Sequence, residues 1–274
     1  MPIRVNGMIE LNKIYCENCL DTMARMPDEF IDLTVTSPPY DGLRDYKGYE
    51  FDFEKIAKEL FRVTKKGGVI VWVVADETKN GCESLTSFKQ AIYFVEQCGF
   101  NLHDTMIYKI SGSGLPHANR YYNEFEYTLI FSRDKPKTVN LIKDRKNSYF
   151  NGKPKLRTVR GKDGKTYPRK TIQSEYNQRG NIWEYDAGFN LSSKDLISFN
   201  HPATFPENLA RDHIYSWSNK KNIVYDPFMG SGTVAKMCIL MDRYYIGSEI
   251  SMEYCELAEK RIHPYKMQTK LELE

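Results

Sequence analysis

From Val69 to Asp76 the chain reads VIVWVVAD, an apolar run with no alternation between the two sides of a strand. A strand of this kind is buried on both faces, which excludes a sheet with one wet side and requires layers above and below it. The stretch ahead of it, DFEKIAKELFRVTKKGG, sets Phe53, Ile56, Ala57, Leu60 and Phe61 at helical spacing. It predicts a helix over Asp52–Gly68 that stops at Gly67-Gly68. The pattern repeats: FIDLTV (Phe30 to Val35), Leu102–Ile110, Glu126–Phe131, NIVYD ending at Asp226 and RYYIGSEI read as strands. Leu85–Cys98, Pro206–Ser216, Thr233–Met241 and Met252–Ile262 read as helices. The expected fold is α/β, a mostly parallel sheet with helices on both faces.

No apolar run approaches the roughly 20 residues of a membrane helix, and the N-terminus lacks the apolar core of a signal peptide, so a cytoplasmic protein without membrane contact is expected. Six scattered cysteines in 274 residues read as reduced thiols. Cys16 and Cys19 form a CxxC with no second pair or neighbouring histidine, so no metal site is expected.

Charge divides the chain. Arg133 to Gly180 holds fifteen lysines and arginines against four acidic residues, an excess of eleven positive charges in a protein whose net charge is +3. The remainder is therefore acidic by about eight charges, and the basic block marks a surface for a polyanion. This block breaks the helix and strand pattern and carries the turn signals Asn151-Gly152 and Asp163-Gly164, with Tyr149, Phe150, Tyr167 and Tyr176 interleaved. It reads either as an unstructured surface excursion or as a nucleic-acid contact module. The organisation expected is a first half over 1–132, the basic insertion over 133–180 and a second half over 181–274.

Two short stretches sit where strands end. TSPPY, residues 36 to 40, follows the FIDLTV strand and places two consecutive prolines at its carboxyl end. Each proline removes a backbone donor, so the turn is stiff and its carbonyls are held in place. DPFMGSGT, residues 226 to 233, joins the NIVYD strand to a helix, where glycines let the backbone approach a ligand and the helix N-terminus offers free N–H groups. Glu249 ends the next strand, where a carboxylate can accept from both hydroxyls of a ribose.

DPFMGSGT resembles the FxGxGT cofactor motif of amino-directed DNA methyltransferases, and TSPPY resembles their catalytic (D/N/S)PP(Y/F/W) motif. The order of the two, with the basic block between them, is similar to that of the β-class. The resemblance runs over nearly the whole chain, through ELFRVTKKGGVIV, GFNLHDTMIYKISG, NEFEYTLIFSR, NIWEY, HPATFPENLARDHI and RYYIGSEISMEYCELAEKRI. It implies a Rossmann-like fold with circularly permuted motif order, S-adenosylmethionine as cofactor and double-stranded DNA as substrate. Family habit adds a homodimer and a cognate restriction endonuclease as partners.

By the same resemblance the catalytic set is Ser37, Pro38, Pro39 and Tyr40. Ser37 through its hydroxyl and Pro38 through its carbonyl would accept from the target amine, and Tyr40 would stack on a base flipped out of the duplex. The cofactor set is Asn18, Ser37, Thr204, Phe205, Asp226, Phe228, Gly230, Gly232, Thr233 and Glu249. Phe228 would line the pocket, Gly230 and Gly232 would admit the cofactor, and Glu249 would hold its ribose. Asn18 stands where relatives carry an aspartate and would accept from the adenine amine. The DNA-binding set is Lys153, Lys155, Arg157, Arg160, Lys162, Lys165, Arg169 and Lys170. Serine in the first motif position points to the N4 amine of cytosine, with the N6 amine of adenine as the alternative. No cysteine follows a proline, which sets aside C5 methylation of cytosine. An RNA or protein amide methyltransferase and a non-catalytic DNA-binding subunit remain as other readings.

Overall fold

The computed structural model describes residues 4–5, 9–39, 51–111, 119–186, 192–193, 195, 197–198 and 206–271. Within them eight strands form one sheet: β1 Lys13–Cys16, β2 Ile31–Thr36, β3 Thr64–Val74, β4 Asn101–Ser111, β5 Phe125–Ser132, β6 Ile182–Asp186, β7 Ile223–Asp226 and β8 Tyr244–Glu249. Their spatial order is β6-β4-β5-β3-β2-β7-β8-β1. Only β5 runs against its neighbours, β3 and β4, and every other pairing is parallel. The sheet is mostly parallel, as the apolar runs require.

Six helices accompany it: α1 Cys19–Ala24, α2 Phe53–Val63, α3 Thr86–Glu96, α4 Glu207–Trp217, α5 Thr233–Leu240 and α6 Met252–Leu271. Met23, Ile56, Leu60 and Phe94 of the first three pack in one cluster with Ile70, Trp72 and Val74 of β3. The alternate residues Val69, Val71 and Val73 are equally buried but lie outside that cluster. On their side α4 packs on β2 and α5, and α5 packs on α6. The uninterrupted run VIVWVV is thus covered on both faces.

Two boundaries differ from expectation by more than two residues, one between α2 and β3 and one at the end of α6. Helix α2 ends at Val63, and the Lys65-Lys66-Gly67-Gly68 stretch belongs to β3. Gly67 has φ +82°, and a Cβ on Gly68 would stand 3.0 Å from the Asp32 carbonyl oxygen. The glycine pair therefore lets a kinked strand start pass close to β2, whose register with β3 shifts between Ile31 and Leu33. Helix α6 continues through Pro264 to Leu271 instead of stopping at Ile262. The Tyr265 hydroxyl donates to Asp195 at 2.8 Å and Lys266 pairs with Glu259 at 2.8 Å, so side-chain anchors carry the helix past the missing N–H.

Residues 141–180 form a compact unit of their own, with the rest of the chain forming the other. In it the strands Lys155–Arg160 and Thr166–Thr171 make an antiparallel hairpin, and Arg145–Lys146 pairs with Tyr176–Asn177. Arg133, counted in the basic block, belongs to the larger unit, where it donates to the carbonyls of Phe61 and Thr64 at 3.0 and 2.8 Å and closes the end of α2. Among the described residues no helix is long and apolar enough to cross a membrane.

Candidate active site

The order β2-β7-β8-β1 sets four parallel strands side by side, so their carboxyl ends share one edge of the sheet. The registers pair Tyr225 with Thr34, Asp226 with Gly247 and Glu249 with Cys16. That edge therefore gathers Ser37 and Pro38 after β2, Asp226 closing β7, Glu249 closing β8, and Glu17-Asn18 after β1. Ligands of open α/β sheets bind outside such ends.

The two motifs meet in one hydrogen bond. Thr36 Oγ1 donates to Asp226 Oδ1 at 2.7 Å, across 190 residues of chain, and the Phe228 N–H donates to the same oxygen at 3.0 Å. Sequence reasoning missed Thr36, whose only signal is its place ahead of the proline pair. Burial pushes the Asp226 carboxyl up to about 7, against the lowering by these two hydrogen bonds and with some help from the charge of Glu249. Pro38 is buried, Ser37 and Pro39 are half-buried, and Tyr40 lies outside the described residues. Thr204 and Phe205 of the cofactor set also lie outside them.

A carboxyl raised from 3.8 to about 7 favours folding below its ordinary value and loses that contribution as pH climbs toward 7. Without ligand, Asp226→Asn is expected to melt like the wild type at pH 4 and above it at pH 8. Equal melting at both pH values would show that Asp226 does not titrate in this way.

The glycine loop is bound to Glu249. The Gly230 N–H donates to its Oε2 and the Ser251 N–H to its Oε1, each at 2.9 Å. Burial raises this carboxyl, and the backbone donors offset part of the rise. Gly230 and Gly232 both adopt positive φ, at 51° and 81°. A Cβ at Gly232 would stand 3.0 Å from the Ala258 Cβ, so this glycine admits α6 close to the loop. Gly247 was not singled out in the sequence, yet a Cβ there would lie 2.3 Å from Met229 Cε, and its absence lets the buried Met229 of the loop pack against β8. The half-buried ring of Phe228 meets Phe51 at 5.7 Å and Trp72 at 6.4 Å.

Two expected cofactor residues have partners within the fold. Asn18 is the N-cap of α1, and its Oδ1 accepts from the Leu20 N–H at 2.9 Å. Thr233 Oγ1 accepts from Arg261 at 2.9 Å. Arg261 also donates to the Ser231 carbonyl at 2.9 Å, to Ser193 at 3.1 Å, to Asp195 at 3.0 Å and to Glu207 at 2.7 Å. Lys236 meets the same two carboxylates at 2.7 and 2.8 Å. This buried network ties α4, α5 and α6 to the glycine loop. Nothing in the local pattern of AEKRI marks it, because its partners come from distant segments.

The eight DNA-binding candidates fall in the 141–180 unit and all are exposed. Lys155, Arg157 and Arg160 lie on one hairpin strand, Arg169 and Lys170 on the other, Lys162 and Lys165 in the turn, and Lys153 just ahead. Among the described residues none of them makes an ion pair. A separate polar cavity of about 320 Å³ opens at the ends of β4 and β6, lined by Ser111, Glu184, Asp186 and Asn208. In the sheet, β5, β3 and β2 stand between it and Asp226.

A family model for N6 and N4 methylation, described as DNA methylase, matches residues 31–260. The orphan methyltransferase M.BamHII of Bacillus amyloliquefaciens is 56% identical over 238 residues, which is 86% of this chain and 89% of its own. The DNA adenine methyltransferase YhdJ of Escherichia coli (strain K12) is 28% identical, over 92% of this chain and 83% of its own. Among solved structures, the cytosine-N4-specific PvuII DNA methyltransferase superposes with a TM-score of 0.67 at 19% identity, covering 91% of this chain and 85% of its own. The M1.HpyAVI–SAM complex gives 0.58 at 19% identity, with 91% and 98% covered.

Proposed function

This chain belongs to the DNA methylase family of N6- and N4-directed enzymes, and from that premise we propose that it transfers the methyl group of S-adenosylmethionine to the N4 amine of cytosine in duplex DNA. The observation that carries the reading is the Thr36–Asp226 hydrogen bond, which joins the SPP turn to the glycine loop at neighbouring strand ends.

The residues present suit the cofactor. A buried carboxyl at Asp226 suits a cationic amine, whose approach would favour its ionised form. Glu249 accepts backbone N–H groups from Gly230 and Ser251, with a further one from Ile250, and a carboxylate's roughly four acceptor sites leave room for a ribose hydroxyl. A neighbour of the same fold was solved as a SAM complex, which supports the assignment. When bound, the cofactor supplies an electrophilic methyl group.

The chain's own groups would act on the amine. Its nitrogen lone pair is delocalised into the base, so acceptors at Ser37 and Pro38 draw the nitrogen toward tetrahedral geometry as it attacks. Burial of Pro38 and the rigid proline pair hold that carbonyl still. The base must leave the duplex to reach the turn, and Tyr40 is proposed as its stacking face. The serine at position 37 supports cytosine over adenine, while the likeness to an adenine methyltransferase supports the adenine alternative. The description of the 56% identical relative as an orphan supports an enzyme working without a dedicated endonuclease.

The test is incubation with methyl-labelled S-adenosylmethionine and mixed-sequence duplex DNA, followed by mass spectrometry of nucleosides. N4-methylcytosine is expected. N6-methyladenine would overturn the base, and an unlabelled DNA product would overturn the activity. Glu249→Ala is expected to weaken cofactor binding about 10- to 100-fold, as loss of charged hydrogen bonds does, with DNA affinity unchanged. Unaltered cofactor affinity in a calorimetric titration would defeat the ribose assignment.

A further inference from the structure

The hairpin register sets Arg157 directly opposite Arg169. Like charges so placed on one face of an antiparallel pair repel and lower its stability. The acids of the unit do not relieve them: Asp163 accepts from the Tyr167 hydroxyl at 2.6 Å and from the Lys165 N–H at 3.1 Å, Asp144 pairs with Arg179, and Glu175 forms no ion pair among the described residues. Side chains alternate along a strand. Lys155, Arg157 and Val159 therefore share one face with Thr171, Arg169 and Tyr167, and the other face holds Leu156, Thr158 and Arg160 with Lys170, Pro168 and Thr166.

The hairpin is built to hold this arrangement. The Gly161 N–H donates to the Lys165 carbonyl at 2.7 Å and the Gly164 N–H to the Gly161 carbonyl at 3.0 Å, with Gly164 at φ +78°. The Tyr167 ring crosses the turn, since a Cβ on Gly161 would meet its Cε2 at 3.0 Å. Tyr167 thus braces the tip. The strands Lys155–Arg160 and Thr166–Thr171 are exposed over almost their whole length.

We propose that this ribbon enters the major groove of duplex DNA with its Arg157–Arg169 face toward the bases, where the two guanidiniums read guanine O6 and N7, while Lys162 and Lys165 at the tip hold phosphates. The proposal rests on DNA being the substrate. A two-stranded ribbon fits a groove about 12 Å wide, and arginine is the side chain whose fork matches the two acceptors of guanine. Six residues at about 3.3 Å each reach about 20 Å, or roughly six base pairs. The repulsion between the arginines, unrelieved in the free protein, is relieved by acceptors on the groove floor. The opposite face has threonine and proline at its centre and offers no such paired fork.

The full-length protein tests this by selection of bound duplexes from a random-sequence pool, followed by sequencing. The wild type is expected to enrich a defined motif. Arg157→Ala with Arg169→Ala should lose the preference at one or two G·C positions and bind the wild-type motif about 10- to 100-fold more weakly. Lys162→Ala with Lys165→Ala should enrich the same motif with uniformly weaker binding, its salt slope reduced by about two. The arginine variant should melt no lower than the wild type, because a repulsion is removed. An unchanged motif from the arginine variant, no motif from the wild type, or a lower melting point with the motif intact would each overturn the proposal. Methyl transfer is not read in this experiment, so a wild type that selects a motif through these arginines but methylates nothing sinks the enzymatic reading alone.

Discussion

Ser37→Ala is expected to slow methyl transfer about 100-fold while cofactor affinity stays within about twofold. Removal of one group placed to stabilise charge in a transition state costs on the order of 100- to 1000-fold in turnover. The lower figure applies here because the carbonyl of the buried Pro38 would remain as the second acceptor. The substitution deletes a hydroxyl from a half-buried side chain and leaves the neighbouring Thr36–Asp226 hydrogen bond in place, so the cofactor loop keeps its geometry. Single-turnover transfer and a cofactor titration read the two quantities separately. Undiminished transfer would remove Ser37 from the mechanism, and a parallel loss of cofactor affinity would leave it only the place in the cofactor set that the resemblance also implies.

Arg261→Met is expected to destabilise the fold by about 3 to 5 kcal/mol, the usual cost of removing one partner from a buried charge network. At about 2 to 4 °C per kcal/mol for a chain of this order of size, the melting point falls by about 10 °C. The guanidinium is fully buried and holds two carboxylates, three hydroxyls and the Ser231 carbonyl. After its loss Lys236 alone must balance Asp195 and Glu207, and nothing replaces the donors to Ser231 and Thr233. Burial tends to raise both carboxyls, but their bonds to Lys236 and Arg261 hold them below the ordinary range. Such depressed groups stabilise the fold above their unfolded values and lose that contribution as pH falls through the native ones. The gap between variant and wild type should therefore be widest near neutral pH and narrow in acid. A loss under about 1 kcal/mol at pH 7 would show that the network carries little weight.

The parts legible in the sequence are those governed by local pattern. An apolar run without alternation has one architectural solution, a strand covered on both faces, and β3 takes it. Proline pairs and glycine loops act within a few residues, so the SPP turn and the DPFMGSGT loop could be placed at strand ends before any strand order was known. The hairpin was signalled by Asp163-Gly164, although a basic composition alone did not separate it from an unstructured excursion.

What the chain could not declare was which side chains would already have partners. Asn18 reads as an acceptor for the adenine amine, and its carboxamide oxygen is found capping α1 as well; Gly232 reads as a ligand cradle, and Ala258 is found packed against it. Gly67-Gly68 reads as a helix stop until the Asp32 carbonyl is found beside it. Each of these outcomes depends on a neighbour supplied by another segment. The sequence by itself determined the layered α/β architecture, the order of its motifs and the kinds of chemistry at the strand ends. Only the tertiary structure decided that Thr36 bonds Asp226, that Arg261 gathers α4, α5 and α6 around the glycine loop, and that Arg157 faces Arg169. Periodicity and turn chemistry act over one or two turns of chain, whereas hydrogen bonds and ion pairs form between whatever groups strand order and register bring within about 3 Å.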